Sequence, residues 1–166
     1  MNRKTHQLAL MGLLIALAFI LSYIESLIPV PFFVPGMKLG LANLMVVTAL
    51  YLLDIKAACV ISLVRMLLIA FTFGNLFSLM YSLTGGVLSL LVMGLAKRSD
   101  RFSCFAVSAL GGVAFNIGQL ITAILVAENT AIVYYLPVLL VTGCVAGLAI
   151  GLLGGMIIAR IRHIVR

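Results

Sequence analysis

Residues 8–28 read LALMGLLIALAFILSYIESLI, about twenty mostly apolar residues whose one charge, Glu25, sits near the far end. As a helix, such a run spans about 30 Å, the thickness of a bilayer's hydrocarbon core. Arg3 and Lys4 precede it as they would in a secretory leader. However, the run ends in Glu25, Pro29 and Pro31 with no A-x-A cleavage pattern, so it is expected to stay as a first span.

The rest of the chain repeats that character. Hydrophobic residues make up 64% of the 166 and charged ones 9%, with a mean hydropathy of +1.31. Soluble domains carry about 25% charged residues, so water is excluded as the main solvent. Charges, prolines and Gly-Asn pairs divide the chain into spans at residues 8–28, 39–53, 55–73, 76–96, 102–127 and 132–161. The expectation is all-α: one polytopic membrane domain over residues 1–166 with six transmembrane helices. Asp54-Ile-Lys56 makes a tight turn that pairs the second and third helices as a hairpin.

The net charge of +7 is dispersed at helix ends and does not form a run, which argues against nucleic acid as a partner. With the N-terminus in the cytoplasm, Arg3, Lys4, Lys56, Lys97, Arg98, Arg101, Arg160, Arg162 and Arg166 lie inside and Lys38 alone outside. That asymmetry follows the positive-inside rule and predicts both termini cytoplasmic; the expected location is the bacterial plasma membrane. Cys59, Cys104 and Cys144 are too scattered for a metal site or a disulfide framework.

The polar exceptions point to function. Arg65 falls about ten residues into the third helix, roughly 15 Å deep, where a charge costs at least about 2.5–3.5 kcal/mol on insertion scales. It is either a structural tie, with Glu25 as one candidate partner, or a ligand contact. Asn116 and Gln119 share one face of the fifth helix, and Asn43 lies near the outer end of the second. Such amides serve as interhelical glue or line a site. Lys38 precedes a helix N-terminus, a setting that favours anions. Lys38, Asn43, Arg65, Asn116, Gln119 and Glu25 are therefore the candidate substrate-binding residues, for a small anionic or amphipathic molecule entering from outside. The connection Pro29–Gly36, with three prolines and four large apolar residues, is either a lid over that site or an interfacial anchor.

Small residues suggest contact faces. Gly143, Gly147, Gly151 and Gly155 recur every fourth residue on the sixth helix, and Gly12 with Ala16 repeats the spacing on the first. Such ridges let another helix approach closely, inside the chain or on a partner subunit. The sequence has no G-x-x-x-x-G-K-[ST] nucleotide loop, no paired-aspartate cluster for a magnesium diphosphate and no nucleophile spaced to a base. The expectation is a protein that is not an enzyme, needs no cofactor or metal, and meets membrane lipid over most of its surface.

The segments Pro35-Gly-Met-Lys-Leu-Gly-Leu-Ala-Asn43, Ser62-Leu-Val-Arg65, Gly74-Asn75, Ser82-Leu-Thr-Gly-Gly86 and Asn116-Ile-Gly-Gln119 resemble the Gx transporters. That family is also called heptaprenyl diphosphate synthase component I, and the likeness covers nearly the full chain. The family is similar to the substrate-binding (S) components of energy-coupling-factor transporters. The resemblance implies a six-helix subunit that takes up a vitamin-like, isoprenoid or quinone-precursor compound with a coupling transmembrane subunit and cytoplasmic ATPases. It also implies that small residues at A-x-x-x-A spacing on the first helix meet the coupling subunit, for which Gly12-Leu-Leu-Ile-Ala16 is an imperfect match. The synthase name implies instead a non-catalytic membrane partner of a soluble prenyl-elongating subunit.

Overall fold

The computed structural model describes residues 3–27 and 40–165. Its helices are α1 (Arg3–Leu27), α2 (Asn43–Leu52), α3 (Ile55–Thr72), α4 (Leu76–Arg98), α5 (Cys104–Ala127) and α6 (Leu136–Val165). A 3-10 segment, Thr130–Tyr135, leads into α6, where a continuous helix from residue 132 was expected. No strand occurs among the described residues. Helix starts follow local chemistry. Asp54 accepts from Ala57 N–H at 2.7 Å, Asn75 from Ser78 N–H at 2.7 Å and Ser103 from Ala106 N–H at 3.3 Å. Each side chain satisfies a donor that has no partner inside its helix.

Among the described residues, five helices are long and apolar enough to cross a membrane. This is a multi-pass membrane protein. The sixth expected span is different: α2 has ten residues, about 15 Å, half of the roughly 30 Å hydrocarbon core. The run from residue 39 is mostly apolar, but Gly40 sits at φ +83°, outside the helical region, and a turn at Gly40–Ala42 delays the helix to Asn43. Seven of the ten α2 residues are buried, from Asn43 and Met45 to Leu50, with α1, α3 and α6 packed around them. The core joins α2 to Leu14 and Ala18 of α1, Ala58 and Ile61 of α3, Met93 of α4, Val107 of α5 and Ile150 of α6.

Both ends of α2 are gripped from far away in sequence. At its C-terminus Lys97 Nζ donates to the Leu50 carbonyl, one of the acceptors a helix end leaves open, and lies 5.1 Å from the centre of the Tyr51 ring. Lys97, read from sequence as an orientation charge, is also a strut between α4 and α2. At the N-terminus the grip comes from Glu25, described below.

α4, α5 and α6 form a tightly packed layer. A Cβ on Gly118 would stand 2.7 Å from both Gly85 Cα and Thr84 O, so α4 and α5 meet backbone to backbone. On the other side of α5, Gly112 faces the Gly143 carbonyl, and a Cβ on Gly147 would lie 2.7 Å from Ala109 Cα. Thr84 and Thr122 hydroxyls join α4 to α5, and Asn116 Nδ2 donates to the α6 carbonyl of Leu139 at 2.8 Å. α1 is peripheral, tied to the end of α3 by Phe19 and Tyr23, each 5.4 Å from Phe73 between ring centres.

Candidate functional site

Arg65 is 5% exposed and stands level with the first turn of α2, since α2 and α3 form a hairpin about Asp54. Its Nη2 donates to Asn43 Oδ1 at 3.4 Å, a long bond. Its Nε is buried with no hydrogen-bond partner among the described residues. Glu25, 8% exposed on the last turn of α1, takes the Gly40 N–H on Oε1 at 2.6 Å and the Leu41 N–H on Oε2 at 3.2 Å. Its charge also acts on Arg65. Three of the residues expected from sequence, Glu25, Asn43 and Arg65, are thus brought together at one end of α2.

Gly40 is the hub of that cluster. A Cβ there would lie 3.0 Å from Asn43 Nδ2 and 3.6 Å from the Phe115 ring, and the positive φ already favours glycine. Phe115, 3% exposed on α5, carries the contact from this cluster to α4, because Gly85 packs on both its ring and its carbonyl. The sequence offered no signal for Phe115. For Gly40 the signal was present in the two glycines that bracket Met37-Lys-Leu, but nothing in one sequence says which of them turns the chain.

Gln119 sits one helical turn beyond Phe115 on the same face of α5. It is fully buried, and among the described residues neither its amide oxygen nor its nitrogen has a hydrogen-bond partner. Asn116 behaves differently: besides Leu139 O, its Nδ2 reaches Thr142 Oγ1 at 3.4 Å, so it binds α5 to α6. The two amides read as sharing one face of α5 therefore meet different neighbours. Lys38 and the Pro29–Gly36 connection lie outside the described residues.

A profile described as heptaprenyl diphosphate synthase component I matches residues 14–157. The chain belongs to the heptaprenyl diphosphate synthase component I family. The matched region contains all of α2 to α5 and most of α1 and α6, so the family assignment covers the whole Glu25–Asn43–Arg65 cluster and Gln119. Comparison with curated proteins and with solved structures returned no match.

In this member of the family the two small-residue faces have different surroundings. Gly143, Gly147 and Gly151 lie against α5 backbone at Gly112, Ser108 and Phe105, and Gly155 faces the Phe105 ring. That ridge packs inside the chain. Gly12 and Ala16 are exposed on α1, and a Cβ on Gly12 would meet nothing within 4 Å.

Proposed function

We propose that this chain is the membrane substrate-binding subunit of a transporter of the energy-coupling-factor type. It would bind a small amphipathic or anionic compound, such as a vitamin-like molecule or an isoprenoid or quinone precursor. The observation that carries the reading is Gln119. A fully buried amide with both atoms unpartnered costs about 1–3 kcal/mol for each group left unmade, and a ligand that hydrogen-bonds to it recovers that loss. Arg65 adds a buried cation with an idle Nε, and Asn43 adds an amide beside it. Glu25 offsets the Arg65 charge, which favours a ligand with one acidic or amide-like group at the end of an apolar body over a highly charged one. In this reading the chain is a single membrane domain with both termini cytoplasmic, and the Glu25 end of the bundle faces outward. The exposed Gly12 and Ala16 would then be available to a coupling subunit, itself driven by cytoplasmic ATPases.

Gln119→Leu separates binding from structure. It removes the unpartnered groups, so the ligand-free protein is expected to melt at an equal or higher temperature while binding is lost. Arg65→Ala is expected to weaken binding by about 2–5 kcal/mol, the usual loss on truncating one partner of a desolvated charge contact. The measurement is thermal stabilisation of detergent-solubilised protein by a panel of flavins, quinone-ring precursors and short isoprenoid acids. A panel that stabilises nothing, or stabilises Gln119→Leu as well as the natural chain, sinks the proposal.

The family description supports a second reading, a non-catalytic membrane subunit of a heptaprenyl diphosphate synthase. The loop Ser99–Ser103 and the basic residues beside it would then hold a soluble prenyl-elongating partner. Affinity purification from gently solubilised membranes is expected to bring down that partner, and to change its product length on addition of this chain. Capture of energy-coupling ATPases in its place would favour the transporter.

A further inference from the structure

A groove of about 460 Å³ runs between α3 and α4, away from the polar cluster's Glu25 and Asn43. Ile55, Cys59, Ser62 and Met66 form one wall, and Leu83 through Leu95 of α4 form the other. The two helices touch through side chains set onto glycines, Met66 against Gly86 and Ile55 against Gly94, and a trough is left beside those contacts. Its rim is apolar and open: Leu63 is 51% exposed, Leu91 58% and Leu95 67%. One charged residue lines the groove, Arg98, at the end where α4 stops.

Two features select an occupant. The first is charge. Arg98 is exposed at the mouth, on the end of the bundle that also carries Lys56 and Arg101. Of the acidic residues at that end, Asp54 is turned onto the N–H of Ala57 as a helix cap, and Asp100 lies in the turn after α4. The second is length. Leu83 to Arg98 is sixteen residues of helix, fifteen rises or about 22 Å, which exceeds the roughly 15 Å of one leaflet's hydrocarbon. We propose that this groove is a binding site for one anionic membrane lipid. Its phosphate sits at Arg98 and its chain lies along the α3–α4 trough past the bilayer midplane. A neutral lipid gains the same apolar contact but not the charge pairing, so the site discriminates by headgroup.

The chain contains no tryptophan, so a single one reports on its surroundings alone. The full chain carrying Leu91→Trp is reconstituted into phosphatidylcholine bilayers holding a minor fraction of brominated-chain phosphatidylglycerol or, separately, brominated-chain phosphatidylcholine. One basic residue near the surface enriches an anionic lipid about fivefold, so the anionic quencher is expected to exceed the neutral one by about that factor. Val145→Trp on the exposed face of α6 should show no preference, and Arg98→Gln should abolish the preference at position 91. Leu95→Trp serves as the reporter if Leu91→Trp fails to fold. Equal quenching by the two lipids overturns the site, as does a preference that survives Arg98→Gln. Protection from both quenchers also overturns it, because a protein helix then fills the groove.

Discussion

Glu25→Ala is expected to lower the unfolding free energy of the purified chain by about 3–5 kcal/mol, the usual cost of removing one member of a buried charge arrangement. The substitution strips the acceptor from two backbone donors, Gly40 N–H and Leu41 N–H, and leaves Arg65 buried without its counter-charge. Arg65→Ala should cost less, because Glu25 keeps both backbone bonds. The double variant is expected to be less damaged than the two losses added together, with an interaction energy of about 0.5–3 kcal/mol in a double-mutant cycle. Chemical or thermal denaturation in a fixed detergent reads all three. Strict additivity would show that the carboxylate serves the turn and not the arginine. The Glu25→Ala loss should also appear as faster amide exchange over α2, whose start the carboxylate fixes.

The second large effect concerns the glycines between α4, α5 and α6. Gly118→Val and Gly112→Val are each expected to destabilise by about 3 kcal/mol or more, at or beyond the upper end of ordinary overpacking. The atoms in the way are backbone, at Gly85, Thr84, Gly143 and Gly147, and backbone cannot swing aside as a side-chain tip can. Forcing α4 from α5 also opens the Thr84–Thr122 contact, and forcing α5 from α6 opens the Asn116 bond to Leu139. Gly154→Ala is the matched control. Its Cβ would find Leu44 at 3.5 Å and Val47 at 3.6 Å, ordinary contact distances, and alanine improves helix propensity by up to about 1 kcal/mol. That variant should be as stable as the natural chain or slightly more so. Equal damage at positions 118 and 154 would mean that the close helix approach is not what the glycines provide.

These contacts mark where sequence reasoning reached and where it stopped. The hairpin turn was legible because Asp54 is a capping residue between two apolar runs, and its action is local. The polar cluster was half legible. Arg65, Asn43 and Glu25 stood out because charge and amide are costly in hydrocarbon, but their meeting depends on Gly40, where the chain turns back fifteen residues after Glu25. The length of α2 was misjudged for the same reason: hydropathy counts apolar residues, whereas the helix start is set by a positive φ and a carboxylate on another helix. Lys97 gave no hint of its reach to Leu50, forty-seven residues earlier. Gly143, Gly147 and Gly151 announced a close approach, but spacing on one helix cannot name the helix that approaches.

The brevity of α2 bears on how the protein is made. A ten-residue segment is too short to partition across a bilayer unaided, so during synthesis it has to travel with its neighbours, most simply as one arm of the hairpin with α3. Its two anchors arrive at different times. Glu25 is translated before α2, whereas Lys97 emerges only after α4 has been made. Until then the Leu50 end has no strut, and a nascent chain halted before α4 would carry a half-secured inner helix. The Leu50 end of α2 therefore gains its strut only after the fourth helix has been made and packed, later than the end held by Glu25.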